Sequence, residues 1–291
     1  MELKQGHFIA IALLAEAFLM YASVLVKLTD VPPITVGFFR IFLALPVFFL
    51  MASWGRGDKK GFFRYPLRDL GLMFCAGVFF AGDLVFFNLA LRNTSVANVN
   101  LIGSLPCFIL VPLGVLFFNE KLRRGFLIGG AVTLLGVFVL IKGRGEESVA
   151  SGYGDFQAFL SVVCYGIFLA LIYALRRRYA AKEIMLFSCI SSSAVLFGLA
   201  SLLEGFEMPS SSHDWLIIVG IAFFGQVVGQ GLFSFVMGKL STQTSSLLLL
   251  FSPAVAALMG FFILGEKLGI YEILAIGIIV AGIYLAKRES V

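Results

Sequence analysis

Residues 88–122 and 235–268 are built on one grammar, and a duplicated grammar constrains architecture before any local feature does. The first copy runs Asn88-Leu89-Ala90-Leu91-Arg92-Asn93-Thr94-Ser95, reaches Pro106 inside an apolar stretch and closes with Asn119-Glu120-Lys121-Leu122. The second runs Gly238-Lys239-Leu240-Ser241-Thr242, reaches Pro253 in another apolar stretch and closes with Gly265-Glu266-Lys267-Leu268. Aligning Pro106 with Pro253 needs no gap back to the preceding apolar run. Gly82, Asp83 and Phe86 then fall on Gly229, Gln230 and Phe233, and Arg92 on Lys239. The chain reads as two related halves.

The medium of those halves follows from composition. Sixty per cent of the residues are hydrophobic and only 13% charged, more apolar than a soluble domain and too poor in charge to solvate one. A helix crosses a hydrocarbon core with about 20 mostly apolar residues. Ten runs meet that need, near 6–28, 34–54, 69–91, 95–117, 124–141, 154–175, 183–204, 214–237, 244–264 and 269–286. The expected fold is an all-α membrane protein of ten transmembrane helices. Its expected parts are a five-helix repeat over 1–144, a linker over 145–152 and a second repeat over 153–291. The first run reads as a full span and not as a cleavable signal. The short links leave no soluble domain, and no glycine-rich phosphate loop is present, which argues against ATP hydrolysis. Cys75, Cys107, Cys164 and Cys189 sit singly in four different runs, and His7 and His213 lie far apart at span ends. No metal or cofactor is expected from them.

Five spans per half is an odd number, so the second half enters the membrane upside down relative to the first. With the N-terminus inside, sixteen Lys and Arg fall on the inner side and five on the outer, with Arg40 left within a span. The expectation is a multi-pass plasma membrane protein, of the bacterial inner membrane, with both termini cytoplasmic. The net charge of +5 matches anionic lipid headgroups and needs no nucleic acid. Inverted repeats with a binding site near midplane mark secondary transporters that work by alternating access.

Polar residues inside the runs are the candidate site. Glu16 lies near the middle of the first run, where an acid must face protein or water; helical spacing puts Met20, Ser23 and Lys27 on its face. Asp83 is flanked at helical spacing by Phe79, Phe80, Phe86 and Phe87, and either exchanges a proton, holds a cationic group or pairs with Arg40. Arg40 has three readings: an ion pair with Asp83, a side chain reaching the outer headgroups, or a clamp for a substrate carboxylate. Gln226, Gln230 and Ser234 recur at four-residue spacing, as interhelical glue or as cavity lining; Asn100 and Ser104 carry the same two readings. Pro106 and Pro253 each remove a helical hydrogen bond and are read as hinges, or as static kinks. Gly225 and Gly229, like Gly277 and Ala281, have the spacing that lets helices approach closely.

The strings Gly82-Asp83-Leu84, Asn88-x-Ala90-Leu91, Thr94-Ser95-Val96-Ala97-Asn98, Pro106 and Asn119-Glu120-Lys121-Leu122 resemble the EamA domain of the drug/metabolite transporter superfamily. The second copy resembles it through Ser252-Pro253, Gly265-Glu266-Lys267-Leu268 and the final Gly282-Ile283-Tyr284-Leu285. It departs at Phe235-Val236-Met237-Gly238, where the first copy has Asn-x-Ala-Leu, so the halves are expected to contribute unequally to a site. The resemblance implies a carrier of two tandem EamA domains that moves metabolites or amino acids, often outward. The expected function is a secondary active exporter or exchanger of a small polar or amphipathic metabolite, with protons as coupling ions, acting as a monomer or homodimer. A membrane-embedded enzyme or a channel is the rival reading, but no catalytic motif or ring of like charge is present.

Overall fold

The computed structural model describes residues 5–26, 28–54, 65–94, 99, 102–143, 152–255, 258, 261 and 269–288, and these are helical and turn segments without a strand. The helices are α1 (Gln5–Val26), α2 (Pro33–Phe42), α3 (Leu45–Ser53), α4 (Leu67–Asn93), α5 (Cys107–Phe118) and α6 (Arg124–Gly143) in the first half. The second half has α7 (Gly152–Arg176), α8 (Ala181–Leu203), α9 (Ser212–Gly220), a π-helical segment (Ile221–Gln230), α10 (Gly231–Met237), α11 (Thr242–Leu249) and α12 (Ile270–Arg288). Among the described residues, six spans are long and apolar enough to cross a membrane: Gly6–Val26, Pro33–Ser53, Leu67–Ala90, Gly152–Arg176, Ala181–Leu203 and Ser212–Met237. Shorter apolar helices cover Cys107–Phe118, Arg124–Leu140 and Ile270–Ala286.

Backbone chemistry sets the interruptions. Pro46 lies in the first turn of α3 and has no N–H to continue α2, so the second apolar run is divided. Pro106 is the N-cap of α5, and the chain turns through Ser104 before it. The ninth run breaks at Leu250 and Phe251, and a helical turn resumes at Ser252-Pro253. The α5 helix stops at Asn119, whose φ of 54° is the left-handed cap that Asn tolerates, and the next residue, Glu120, returns its N–H to the Gly114 carbonyl.

Helix pairing follows the sequence repeat. Helix α4 packs along α7, and α1 packs along the π-helical segment. If α1 corresponds to α7 and α4 to the α9–α10 span, these are one contact seen twice. Helices α2 with α8, α5 with α11 and α6 with α12 pair as counterparts directly. Hydrogen bonds at the helix ends give the directions. Glu204 after α8 accepts from the N–H groups of Ile34 and Thr35 at the start of α2, while Lys182 at the start of α8 donates to the Trp54 carbonyl just past α3. The two counterparts therefore run antiparallel. Asn93 and Thr94 at the end of α4 meet Gln157 and Asp155 at the start of α7, and Tyr179 just past α7 meets Asp69 at the start of α4. Thr29 beyond α1 meets Asp214 at the start of α9, so that pair is also antiparallel.

The interior is packed by small and polar groups as much as by apolar ones, as helix association in lipid requires. Ser188, Ser191 and Ser192 of α8 donate to the carbonyls of Met73, Phe74 and Gly77 on α4. Gly225 and Gly229 let α1 approach at Ala22 and Leu19, as their spacing foretold. Gly277 has open space around it; the close crossing of α6 and α12 uses Gly129 and Gly136 against Ile279, Gly282 and Ala286. One large core spans α1 to α4, α7, α8, α10 and α11, whereas Val137 and Leu140 with Ala254, Ala275 and Ile279 form a separate layer. Large apolar side chains such as Leu50, Val78, Phe117, Phe138, Phe159 and Leu216 are exposed around the perimeter, the inverse of a surface built for water. A side chain at Gly129 has no room. Gly129→Val is expected to destabilise the α6–α12 pair by roughly 1–3 kcal/mol, read as a lower thermal midpoint of the detergent-solubilised protein, while Gly277→Ala leaves the midpoint unchanged.

Candidate functional site

Four polar residues of the sequence reading, Glu16, Arg40, Asp83 and Gln226, lie within about a turn of the middle of their helices. Glu16 is 1% exposed, and its Oε2 accepts from the Ser252 hydroxyl at 2.6 Å. Asp83 Oδ1 accepts from the Ser161 hydroxyl at 2.6 Å. Arg40 is turned into the bundle: its Nε donates to Gln226 Oε1 at 3.3 Å, and its guanidinium stands over the Phe80 ring, 6.0 Å from the centroid. Gln226 in turn donates through Nε2 to Cys189 Sγ. Arg40 and Asp83 face each other electrostatically without forming an ion pair. The expectation of a headgroup-seeking arginine is thus set aside by its geometry, and a direct Arg40–Asp83 bond is absent.

The Tyr165 side chain of α7 is within electrostatic reach of Glu16, Asp83 and Arg40, with Gln230 beside it. Arg40, Asp83 and Tyr165 are each half-buried. Glu16 Oε1, deep in this region, has no hydrogen-bond partner among the described residues. The Gln230 amide is directed at the Tyr165 hydroxyl. Buried polar atoms are almost always paired, so an unpaired oxygen beside one tyrosine marks where a polar group or water fits. The aromatic wall continues from Phe80, stacked on Phe168 at 4.6 Å, to Tyr165. Gly82 lets α7 close on the site, because a Cβ there would press on Cys164 Sγ.

A division of labour is visible. The three charged residues, Glu16, Arg40 and Asp83, belong to the first half; the hydrogen-bonding partners they reach, Ser252, Gln226 and Ser161, all belong to the second and are uncharged. The π-helical turn that carries Gln226 and Gln230 keeps both buried. Such turns are uncommon and recur at functional sites. Ser234, one step further on, is buried against Met185 Sδ. Ser104 is buried just before Pro106, and Asn100 and Lys27 lie outside the described residues. Ser23 of the expected Glu16 stripe bonds its own helix at the Leu19 carbonyl. Ser161 and Ser252 were not singled out from sequence as site residues. Ser252 carried a signal in its Ser-Pro step, where the first half has Leu105-Pro106.

A second cluster sits at one end of the bundle. The Glu120 carboxylate accepts from the Tyr173 hydroxyl at 2.6 Å, the Thr242 N–H at 3.1 Å and the Thr242 hydroxyl at 2.6 Å. Gln243 adds bonds to the Lys121 carbonyl and the Arg123 N–H. Gly114 admits Thr242 where a side chain would collide with it. The repeat motif Asn119-Glu120-Lys121-Leu122 is thereby explained: a left-handed stop aims a carboxylate at the N-terminus of α11, where N–H groups favour negative charge. Its second copy, Gly265-Glu266-Lys267-Leu268, lies outside the described residues. Partial burial pushes the Glu120 carboxyl up, but the bonds from Thr242 and Tyr173 outweigh it and hold the group below the usual glutamate range.

A helical bundle with an apolar perimeter, antiparallel counterpart helices and a buried polar cluster is a multi-pass membrane protein. The EamA-like transporter family model matches residues 7–142 and 152–288, and the chain belongs to that family. It is similar to a probable amino-acid metabolite efflux pump of Salmonella typhimurium, 26% identical over 98% of this chain and 95% of that one. An uncharacterised transporter of Archaeoglobus fulgidus is 26% identical over 96% of each chain. A probable amino-acid metabolite efflux pump of Escherichia coli is 24% identical over 92% of this chain and 89% of its own. One crystal structure shares the fold with a TM-score of 0.81 at 20% identity, over 98% of both chains. Glu120 is open to a direct test. Its carboxyl is held low in the folded state, so its contribution to stability is present above the unfolded glutamate value, about 4.3, and is lost as pH falls through the folded value. Glu120→Gln is expected to lower the thermal midpoint at neutral pH and to narrow its gap to the parent on acidification. Equal midpoints at neutral pH would show that the carboxylate holds nothing together.

Proposed function

We propose that the chain is a secondary active transporter, an exporter or exchanger, that carries a small polar or amphipathic metabolite such as an amino acid by alternating access. The observation that carries this reading is the mid-depth cluster in which Arg40 and Asp83 face each other and Tyr165 faces both of them and Glu16, with Glu16 Oε1 left without a partner. A guanidinium suits a carboxylate and an acid suits an ammonium group, so the site has the charge layout of a zwitterion's two ends. Two relatives named as probable amino-acid metabolite efflux pumps support the same class.

In this reading the chain forms ten transmembrane helices as two inverted five-helix repeats, over 1–144 and 153–291, which rock about the shared site. Both termini face the cytoplasm, the membrane is the bacterial plasma membrane, and one chain suffices to transport, alone or within a homodimer. Asn100, Ser104, Gln226 and Gln230 line the path, and the breaks at Pro106 and Pro253 bend. No enzymatic step and no cofactor belong to this scheme. A carboxylate takes up a proton on one side and gives it up on the other.

Liposomes containing the purified protein test the reading. Saturable counterflow of a labelled amino acid is expected, stimulated by the same unlabelled compound inside. Arg40→Gln and Asp83→Asn each remove a charge-assisted contact of about 1.5–3 kcal/mol. Each is therefore expected to reduce flux at limiting substrate about 10- to 100-fold. Flux that neither saturates nor exchanges would point to a pore, and chemical conversion of the solute to an enzyme.

A further inference from the structure

The break in the ninth run and the buried acid of α1 share one hydrogen. Proline has no N–H, so Pro253 leaves the Leu249 carbonyl, four residues earlier, without its helical donor. The Ser252 hydroxyl fills that place at 2.7 Å, and the same oxygen lies 2.6 Å from Glu16 Oε2. A serine hydroxyl has one hydrogen to give and two lone pairs to accept with. If Glu16 is ionised, one hydrogen must serve both the carboxylate and the carbonyl. If Glu16 is protonated, its O–H donates to Ser252 Oγ while Ser252 donates to Leu249, and both short contacts are full hydrogen bonds.

The surroundings favour the second arrangement. Glu16 is 1% exposed, and its other oxygen has no partner. Tyr165 of α7 faces it, Gln230 of the π-helical segment lies beside that tyrosine, and Arg40 and Asp83 are grouped around the same ring. Among the described residues no cation pairs with Glu16, whereas Asp83 has Arg40 facing it. The other half lacks the device. Pro106 likewise deprives the Ile102 carbonyl of its donor, but Leu105 stands where the second half has Ser252, and its backbone N–H closes the turn onto Ile102 at 2.9 Å.

We propose that Glu16, Ser252 and the Leu249 carbonyl form a proton-operated relay that sets the bend of the ninth span. With the proton on Glu16, the chain of donors runs from carboxyl to serine to carbonyl and holds the bend present in this structure. When that proton leaves to water in the site, the Ser252 hydrogen turns to the carboxylate and keeps its bond to its own oxygen. The Leu249 carbonyl is then left without a donor in a dry interior, which favours a different bend. Glu16 is thus the proton site and Asp83 the partner of Arg40. Use of the relay for coupling rests on the carrier reading above; the relay itself does not.

The test is pH-difference infrared spectroscopy on the protein in lipid nanodiscs, without substrate. The expected signal is the carbonyl stretch of a hydrogen-bonded, protonated carboxyl that is lost as pH rises, together with an amide I change from the bend. Glu16→Gln removes the carboxyl signal, and Asp83→Asn keeps it. Ser252→Ala keeps a titrating carboxyl at a shifted frequency but loses the amide I response, and Ser252→Thr, which retains the hydroxyl, restores it. Pro253→Ala, which returns an N–H to Leu249, also abolishes the amide I response. A carboxyl signal that survives Glu16→Gln, or a full amide I response in Ser252→Ala, overturns the relay. If Glu16→Gln does not fold, the alanine and threonine variants at 252 decide the question. A relay present in protein that shows no liposome counterflow would count against the carrier and leave the relay standing.

Discussion

Every polar atom in the hydrocarbon layer must find its partner inside the protein, because the lipid offers none. That constraint explains the bundle's two kinds of interior. Where backbone carbonyls remain available, serines of α8 bind those of α4. Where charges are present, at Glu16, Arg40 and Asp83, a hydroxyl or amide from another helix meets each one. An acid or arginine facing lipid would cost on the order of 2.5–3.5 kcal/mol on insertion scales, so these residues also dictate which helix faces turn inward. The placement of these polar groups and the packing are therefore one problem with one solution.

The same constraint shapes the ends of the bundle, where helices run out of intrahelical donors and acceptors. Glu204 caps α2 through two N–H groups, and Glu120 meets the N-terminus of α11. Each joins an element of one half to an element of the other. A membrane helix pair has little apolar driving force to hold it, so these cross-half caps and the glycine crossing of α6 with α12 contribute much of what keeps the halves in register.

Much of this was legible in the sequence. The long apolar runs marked the six clear spans, since a span is a matter of length and polarity alone, and the expected inversion of the second half agrees with the antiparallel relation seen in α2 with α8. Glu16, Asp83, Gln226 and Gln230 were visible because polar residues are rare at that depth. Their partners were not. Ser161 and Ser252 lie 78 and 236 residues from the acids they serve, and a serine in an apolar run is ordinary. The role of Gly277 was misread, since small-residue spacing names a face that can approach another helix without naming the face that does. The π-helical turn was hidden for a different reason. Nothing in the composition of Ile221–Gln230 marks a wider winding, and the segment lies against Leu19, Ala22 and Arg40, which are far from it in sequence.

The halves are alike in path and unlike in chemistry, and the unlikeness is systematic. The first half supplies all three ionisable residues of the cluster and the second their neutral hydrogen-bond partners, while Arg40 and Asp83 also face each other within the first half. Asp83 against Gln230 and Leu105 against Ser252 are the same positions given opposite parts. Two identical halves would set acid against acid across the pseudo-twofold, and both carboxylates would then compete for protons without donors to receive them. With charges on one side and donors on the other, a small displacement between the halves lengthens every hydrogen bond of the site at once. A packed interface that loses several bonds together has few intermediate positions. Asymmetry inside a symmetric scaffold thus gives this bundle a polar centre whose hydrogen bonds depend on how the two halves are placed.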